Sequence, residues 1–215
     1  MKIKVFEAFA GYGSQAMALE RLKQHFPDFD LLTYSFPCTD ISNAGQQKGF
    51  EKGSGTRSSL LWECQRTIEI KRPKYLLMEN VSALLSQKFF PLYKEWREVL
   101  GSFGYSSFTQ ILNARDFGIP QNRERVFMVS ILGDCQYHFP STFPLQLRLK
   151  DILETEVDEK YYLSNSAIES FISHTEKHQE KGNGFKFQPT DGGGIANTVL
   201  TRSGSRPSDN YIKDE

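Results

Sequence analysis

Asp30-Leu31-Leu32-Thr33-Tyr34-Ser35-Phe36-Pro37-Cys38-Thr39-Asp40-Ile41-Ser42-Asn43 is the stretch from which the rest of this chain can be read. The apolar run from Leu31 to Phe36 has the make-up of a buried strand. It stops at Pro37, which has no N–H to offer a ladder, and passes into a loop of Thr, Ser, Asp and Asn. A strand therefore delivers the Cys38 thiol to an edge. Loops at the carboxyl ends of α/β strands are where such folds hold their chemistry. Taken alone, Cys38 has two readings, a nucleophile and a buried structural thiol.

Upstream, Lys2 to Phe9 alternates and is rich in Ile, Val and Phe, as a first strand should be. It breaks at Ala10-Gly11-Tyr12-Gly13-Ser14, and Gln15 to Gln24 follows as a helix with Ala16, Leu19 and Leu22 on one face. Strand, glycine turn and helix bring backbone close to a nucleotide-like ligand. A plain tight turn explains Gly11 and Gly13 equally, because the full Gly-x-Gly-x-x-Gly pattern is absent. After a loop over His25 to Asp30, the strand at Leu31 completes one parallel crossover.

Downstream, Asn43 to Gly55 is glycine-rich and carries Lys48 and Lys52, which reads either as a lid beside the thiol or as a solvated linker. Thr56-Arg57-Ser58-Ser59 then starts a helix over Leu60 to Ile70. A second buried run, Tyr75-Leu76-Leu77-Met78, ends in Glu79-Asn80-Val81. A carboxylic acid at such a strand end is costly to bury ionised, which favours its protonated form. An amphipathic helix over Phe89 to Leu100, a strand over Tyr105 to Asn113, a turn at Gly118-Ile119-Pro120 and a strand over Val126 to Leu132 complete the pattern.

This alternation predicts a three-layer α/β domain with a largely parallel, Rossmann-like sheet over residues 1–135. Residues 136–215, with Pro140, Pro144 and an acidic patch at Glu154, Glu156, Asp158 and Glu159, read as a linker and a second region containing a helix over Ser164 to His178. The 215 residues suit a domain with a sizeable core. The 26 basic and 26 acidic residues cancel, so any polyanion partner must be met by a local basic face. Cys38, Cys64 and Cys135 are too scattered for a disulfide framework or metal cluster, and the four histidines (His25, His138, His174, His178) are read as surface residues. Neither a signal peptide nor an apolar run of about 18 residues is present. The expectation is a cytoplasmic monomer without metal or membrane contact.

Phe9-Ala10-Gly11-Tyr12-Gly13, Phe36-Pro37-Cys38, Gly55-Thr56-Arg57-Ser58-Ser59-Leu60, Glu79-Asn80-Val81 and Gln121-Asn122-Arg123-Glu124-Arg125 occur in that order. Together they resemble the DNA (cytosine-5)-methyltransferases of bacteria and phages, over roughly residues 3–132. The resemblance implies an S-adenosyl-L-methionine-dependent enzyme acting on double-stranded DNA, of the kind found in restriction-modification systems. It implies that Phe9, Gly11, Gly13, Ser14 and Pro37 bind the cofactor, that Cys38 is the nucleophile and Glu79 the acid, and that Arg123 and Arg125 help hold the target base. Whether either arginine meets the base, the loop backbone or phosphate is left open. Two departures from the family stand out. The segment between residues 24 and 31 is short where the family has two further strand-helix units, and only the opening of a target-recognition region follows residue 136. The competing readings are therefore an inert remnant of such an enzyme and an unrelated thiol hydrolase, the latter lacking an identifiable histidine base.

Overall fold

The computed structural model describes residues 3–8, 28–42, 45–179, 186–200 and 204–213. In chain order the elements are β1 (Val5–Ala8), β2 (Leu31–Tyr34), α1 (Leu61–Lys71), β3 (Tyr75–Val81), α2 (Phe90–Ser102), β4 (Tyr105–Asn113), β5 (Gln121–Asn122), β6 (Glu124–Leu132), α3 (Asn165–Gln179) and β7 (Ala196–Asn197). The chain divides into two compact units, Met1–Leu112 with Glu124–Pro140, and Asn113–Arg123 with Ser141–Glu215.

The first unit is built on a five-stranded sheet in the order β1-β2-β3-β6-β4. β1, β2 and β3 are parallel, with Ala8 opposite Tyr34 and Tyr34 opposite Met78. β6 runs antiparallel to β3, placing Phe127 opposite Glu79 and Arg125 opposite Val81. The sheet is thus mixed, parallel over its first three strands. Chain returning without a crossover helix can only lie antiparallel, and the connection from β4 to β6 contains short turns and no such helix.

Alternation along the strands separates the faces. Leu32, Tyr34, Leu76, Met78, Val126 and Met128 are buried on one face, beneath α1 and α2. Helical spacing brings Leu61, Cys64 and Ile68 of α1, and Tyr93, Trp96 and Leu100 of α2, toward that core. The Trp96 indole is the junction: its Nε1 donates to the Tyr34 hydroxyl at 3.2 Å, and its ring meets Trp62 edge-on at 5.7 Å. Leu31, Thr33, Leu77, Glu79, Phe127 and Val129 lie on the opposite face and are only partly buried. The helix expected over Gln15 to Gln24 lies outside the described residues.

The segment after Cys38 behaves as neither simple lid nor linker over its central part. Gly49 N donates to Asp40 O at 2.9 Å, and the Trp62 indole donates to Phe50 O at 2.7 Å. Phe50 is fully buried, its ring 5.8 Å from Phe36 and 6.4 Å from Phe89. Residues 51–55 are exposed throughout.

In the second unit β5 and β7 pair in parallel, and the buried Asn113 side chain organises the turn beside them, donating to Asn122 Oδ1 at 2.7 Å. Phe171 of α3 gathers Phe187 and Tyr211 at 5.5 and 5.8 Å. Among the described residues no helix is long and apolar enough to cross a membrane, and no group of three or more His, Cys, Asp and Glu could hold a metal ion.

Candidate active site

Where β2 leaves the sheet at Tyr34, alternation sends Ser35 to the face of Thr33 and Phe36 back into the core at 1% exposure. β3 continues to Val81, holding Glu79 on the same face as Ser35 and Asn80 on the buried one. Asn80 ties the two strand exits together. Its Nδ2 donates to Phe36 O at 2.9 Å and its Oδ1 accepts from Val81 N at 2.9 Å. A buried amide is tolerated because both its ends are satisfied.

Glu79 has a partner on each oxygen. Arg125 Nε lies 3.0 Å from Oε1, the two side chains being 18% and 30% exposed for arginine and glutamate. Ser35 Oγ donates to Oε2 at 2.5 Å. The sequence argument treated Glu79 as an acid buried among apolar residues; the structure makes it a half-buried acid framed by a cation and a hydroxyl. Charge-assisted contacts of this kind fix a carboxyl group in one orientation.

Cys38 is a free, partly buried thiol in the tight turn that follows Pro37. Its carbonyl accepts from Ile41 N at 3.1 Å and Ser42 N at 2.8 Å, closing the turn beneath it. Pro37 is partly buried, and its carbonyl accepts from Ser58 Oγ at 2.5 Å. Cys64, by contrast, is fully buried in α1, and desolvation pushes its thiol well up, as a structural cysteine requires.

The motif Gln121 to Arg125 is divided between the units. Arg125 belongs to the first, with Glu79, and Arg123 to the second. There the Arg123 N–H donates to Asn113 Oδ1 at 3.0 Å and its carbonyl accepts from Ala114 N at 3.0 Å. Phe9, Gly11, Gly13 and Ser14 lie outside the described residues. What can be read is that β1 ends at Ala8 directly beside Tyr34, the residue of β2 that precedes the Ser35–Cys38 exit. That placement suits a ligand shared between the two strand ends.

Ser35 carries no role in the sequence reading, and Ser58 enters it only within the Thr56–Ser59 helix start and the Gly55–Leu60 motif. Ser35 was within reach, because strand parity puts it level with Glu79 across a parallel pair. The link from Ser58 to the Cys38 turn had no local signal, since its partners there lie about twenty residues upstream.

A family model described as C-5 cytosine-specific DNA methylase matches residues 16–211. The chain is 54% identical over 143 residues to the Type II methyltransferase M2.ScrFI of Lactococcus lactis subsp. cremoris, covering 66% of this chain and 40% of that protein. It is 35% identical over 209 residues to the Type II methyltransferase M.HpaII of Haemophilus parainfluenzae, covering 92% and 56%. The chain thus spans about half the length of these relatives. Among solved structures, the Entamoeba histolytica methyltransferase EhMeth aligns with a TM-score of 0.56 at 21% identity, over 73% of this chain and 48% of that one. The Spodoptera frugiperda DNMT2 structure gives 0.55 at 17% identity, over 84% and 52%. At these identities the likeness establishes a shared α/β fold.

Proposed function

The chain belongs to the C-5 cytosine-specific DNA methylase family, and from that membership we propose that it methylates C5 of cytosine in double-stranded DNA, with S-adenosyl-L-methionine as methyl donor. The observation that carries this reading is the framed Glu79 at the exit of β3, tied through Asn80 to the exit of β2 that bears Cys38. An acid and a nucleophile on adjacent strand ends are what addition to a pyrimidine ring requires.

Cytosine C5 is too weak a nucleophile to attack a sulfonium unaided. In the proposed reaction Cys38 Sγ, as thiolate, adds to C6 and its electron pair moves through the ring toward N3. Glu79, in its protonated form and with N3 taking the place of Ser35 at Oε2, gives N3 a hydrogen bond as that charge develops, stabilising the transition state more than the ground state. Arg125, held on the far oxygen, keeps the carboxyl group aimed. The cofactor, when bound, supplies an electrophilic methyl group, and Phe9, Gly11, Gly13, Ser14 and Pro37 are the residues proposed to hold it. Loss of the C5 proton to water then breaks the C6–S bond, expels Cys38 as thiolate and restores aromaticity. A cytosine stacked in a duplex cannot reach the thiol, so the base is flipped out, at a cost of a few kcal/mol. Arg123 is proposed to help retain it. In the same reading the protein acts as a cytoplasmic monomer.

The test is methyl transfer from labelled S-adenosyl-L-methionine to cytosine-containing duplex DNA, alongside a duplex with 5-fluorocytosine. Transfer, and a covalent protein–DNA species that Cys38→Ser abolishes, is the expected result. A folded chain that binds neither cofactor nor DNA would overturn the proposal.

A further inference from the structure

A single hydroxyl spans the turn that carries Cys38. Ser58 Oγ donates to Pro37 O at 2.5 Å and accepts from Asp40 N at 3.2 Å, so the backbone groups immediately before and two residues after Cys38 end on one atom. The contact is returned, since Ser58 N donates to Asp40 Oδ2 at 3.1 Å and Thr39 Oγ1 donates to the same oxygen at 3.3 Å. Ser58 is fully buried and Asp40 is 7% exposed.

We infer that Ser58 and Asp40 form a clasp that positions the Cys38 thiol for attack. They are positioning residues, acting on Cys38 through the backbone of its turn, and the inference rests on the reading of Cys38 as the nucleophile. The physical reason is the state left when the clasp is removed. Without the Ser58 hydroxyl, Pro37 O and Asp40 N lose the partner they share at a largely buried position, a loss that favours any rearrangement letting them reach water. Such a rearrangement moves the residue between them. The clasp is also well anchored. Ser58 opens the short turn leading into α1, and α1 is pinned to the preceding loop by Trp62 on Phe50. The thiol is therefore referenced to a packed helix, although it sits in a loop, which is the support a precise attack geometry needs.

Three variants test this: Ser58→Ala, Asp40→Ala and Asp40→Asn, the last keeping a carbonyl oxygen for the Ser58 N–H. Two readouts are used on the full chain. The first is iodoacetamide alkylation followed peptide by peptide, with buried Cys64 reporting any general loosening; it needs neither cofactor nor DNA. The second is single-turnover methyl transfer. Because a displacement of about 1 Å can cost about a hundredfold in rate, Ser58→Ala and Asp40→Ala should lower single-turnover transfer at least tenfold. They should also shift the Cys38 alkylation rate by about threefold or more, with Cys64 still protected and DNA affinity little changed. Asp40→Asn should stay within about twofold of the unmodified chain on both readouts, since it retains the acceptor. Wild-type alkylation and transfer in Ser58→Ala would overturn the clasp. So would an Asp40→Asn variant as impaired as Asp40→Ala, which would make charge rather than the hydrogen bond the cause. Should Ser58→Ala expose Cys64 as well, the comparison of the two Asp40 variants decides. If the unmodified chain transfers no methyl group, the proposed function fails, and alkylation alone still shows whether the clasp sets the thiol's presentation.

Discussion

Glu79 is held by two side chains that do different things. Arg125 supplies charge at 3.0 Å and Ser35 supplies a hydroxyl at 2.5 Å that can both donate and accept. Glu79→Gln keeps the shape and removes the acid, so kcat for methyl transfer should fall by about a hundredfold to ten-thousandfold. Ser35→Ala removes one hydrogen bond to the Glu79 carboxyl group, worth about 1 kcal/mol, and should cost roughly fivefold in transfer, with Ser35→Thr restoring most of it. If Ser35→Ala were as active as the unmodified chain, the hydroxyl would have no part in aiming Glu79. Gly45 matters for a different reason. A Cβ there would stand 1.9 Å from the carbonyl oxygen of Thr39, a backbone atom of the Cys38 turn. Gly45→Ala should therefore alter Cys38 alkylation as the clasp variants do, whereas substitution at Gly53, whose neighbourhood is open, should leave that rate unchanged.

At the level of the elements, α2 illustrates how packing outweighs propensity. It begins with proline in its first turn and is stopped at Gly104, whose φ of +83° lies in the left-handed region. A Cβ at Gly104 would meet nothing closer than 3.8 Å, so Gly104→Ala should cost only the conformational penalty, about 1 to 2 kcal/mol in urea unfolding. Trp96, fully buried between Tyr34 and Trp62, is a larger matter. Trp96→Ala leaves a cavity across the α1–α2–sheet junction and should cost about 3 to 5 kcal/mol. Should the two changes prove equal, α2 is held by its own backbone rather than by the core.

Across the whole molecule, the buried titratable groups predict where stability is lost with pH. Burial pushes the Cys64 thiol and the Tyr34 hydroxyl well up, and that of Tyr105 to about 12. Each is neutral when protonated, and each has a folded-state value above its unfolded one. Their contribution is therefore fully present below the unfolded values, near 8.5 for cysteine and 10 for tyrosine, and declines as pH rises from there toward the folded values. Unfolding free energy should fall with rising pH from about 8.5 upward. Cys64→Ala should flatten the first part of that decline and leave the part above about 10. A flat profile up to pH 11 would contradict the burial seen for these groups. For the proposed DNA substrate, electrostatics operate on the same scale. With a formal net charge of zero, affinity must come from local cations such as the exposed Lys48 and Arg57. Each alanine substitution there should reduce the slope of log affinity against log salt by about 0.9. Lys52 should matter less, because its ammonium is already bonded to Gln65 at 2.9 Å and lies over the Trp62 ring.

The sequence by itself determined the α/β class, the residues delivered to strand ends and most element positions in the first unit. β4 matches the expected span from Tyr105 to Asn113, and α1 and α2 begin within one residue of where capping and periodicity place them. These were legible because glycine and proline punctuate locally, and because alternation sets which side chains share a face. Only the tertiary structure decided that β6 is antiparallel, because the direction of a returning strand depends on the route of its connection. The same holds for the pairing of Arg125 with Glu79, which depends on the register of β6 against β3. It holds again for Ser58, whose hydroxyl reaches Pro37 and Asp40 through a loop that leaves no periodic trace in the sequence. Contacts within a turn or along a strand are written in neighbouring residues. Contacts that close over twenty or more residues exist only once the core has brought their elements together.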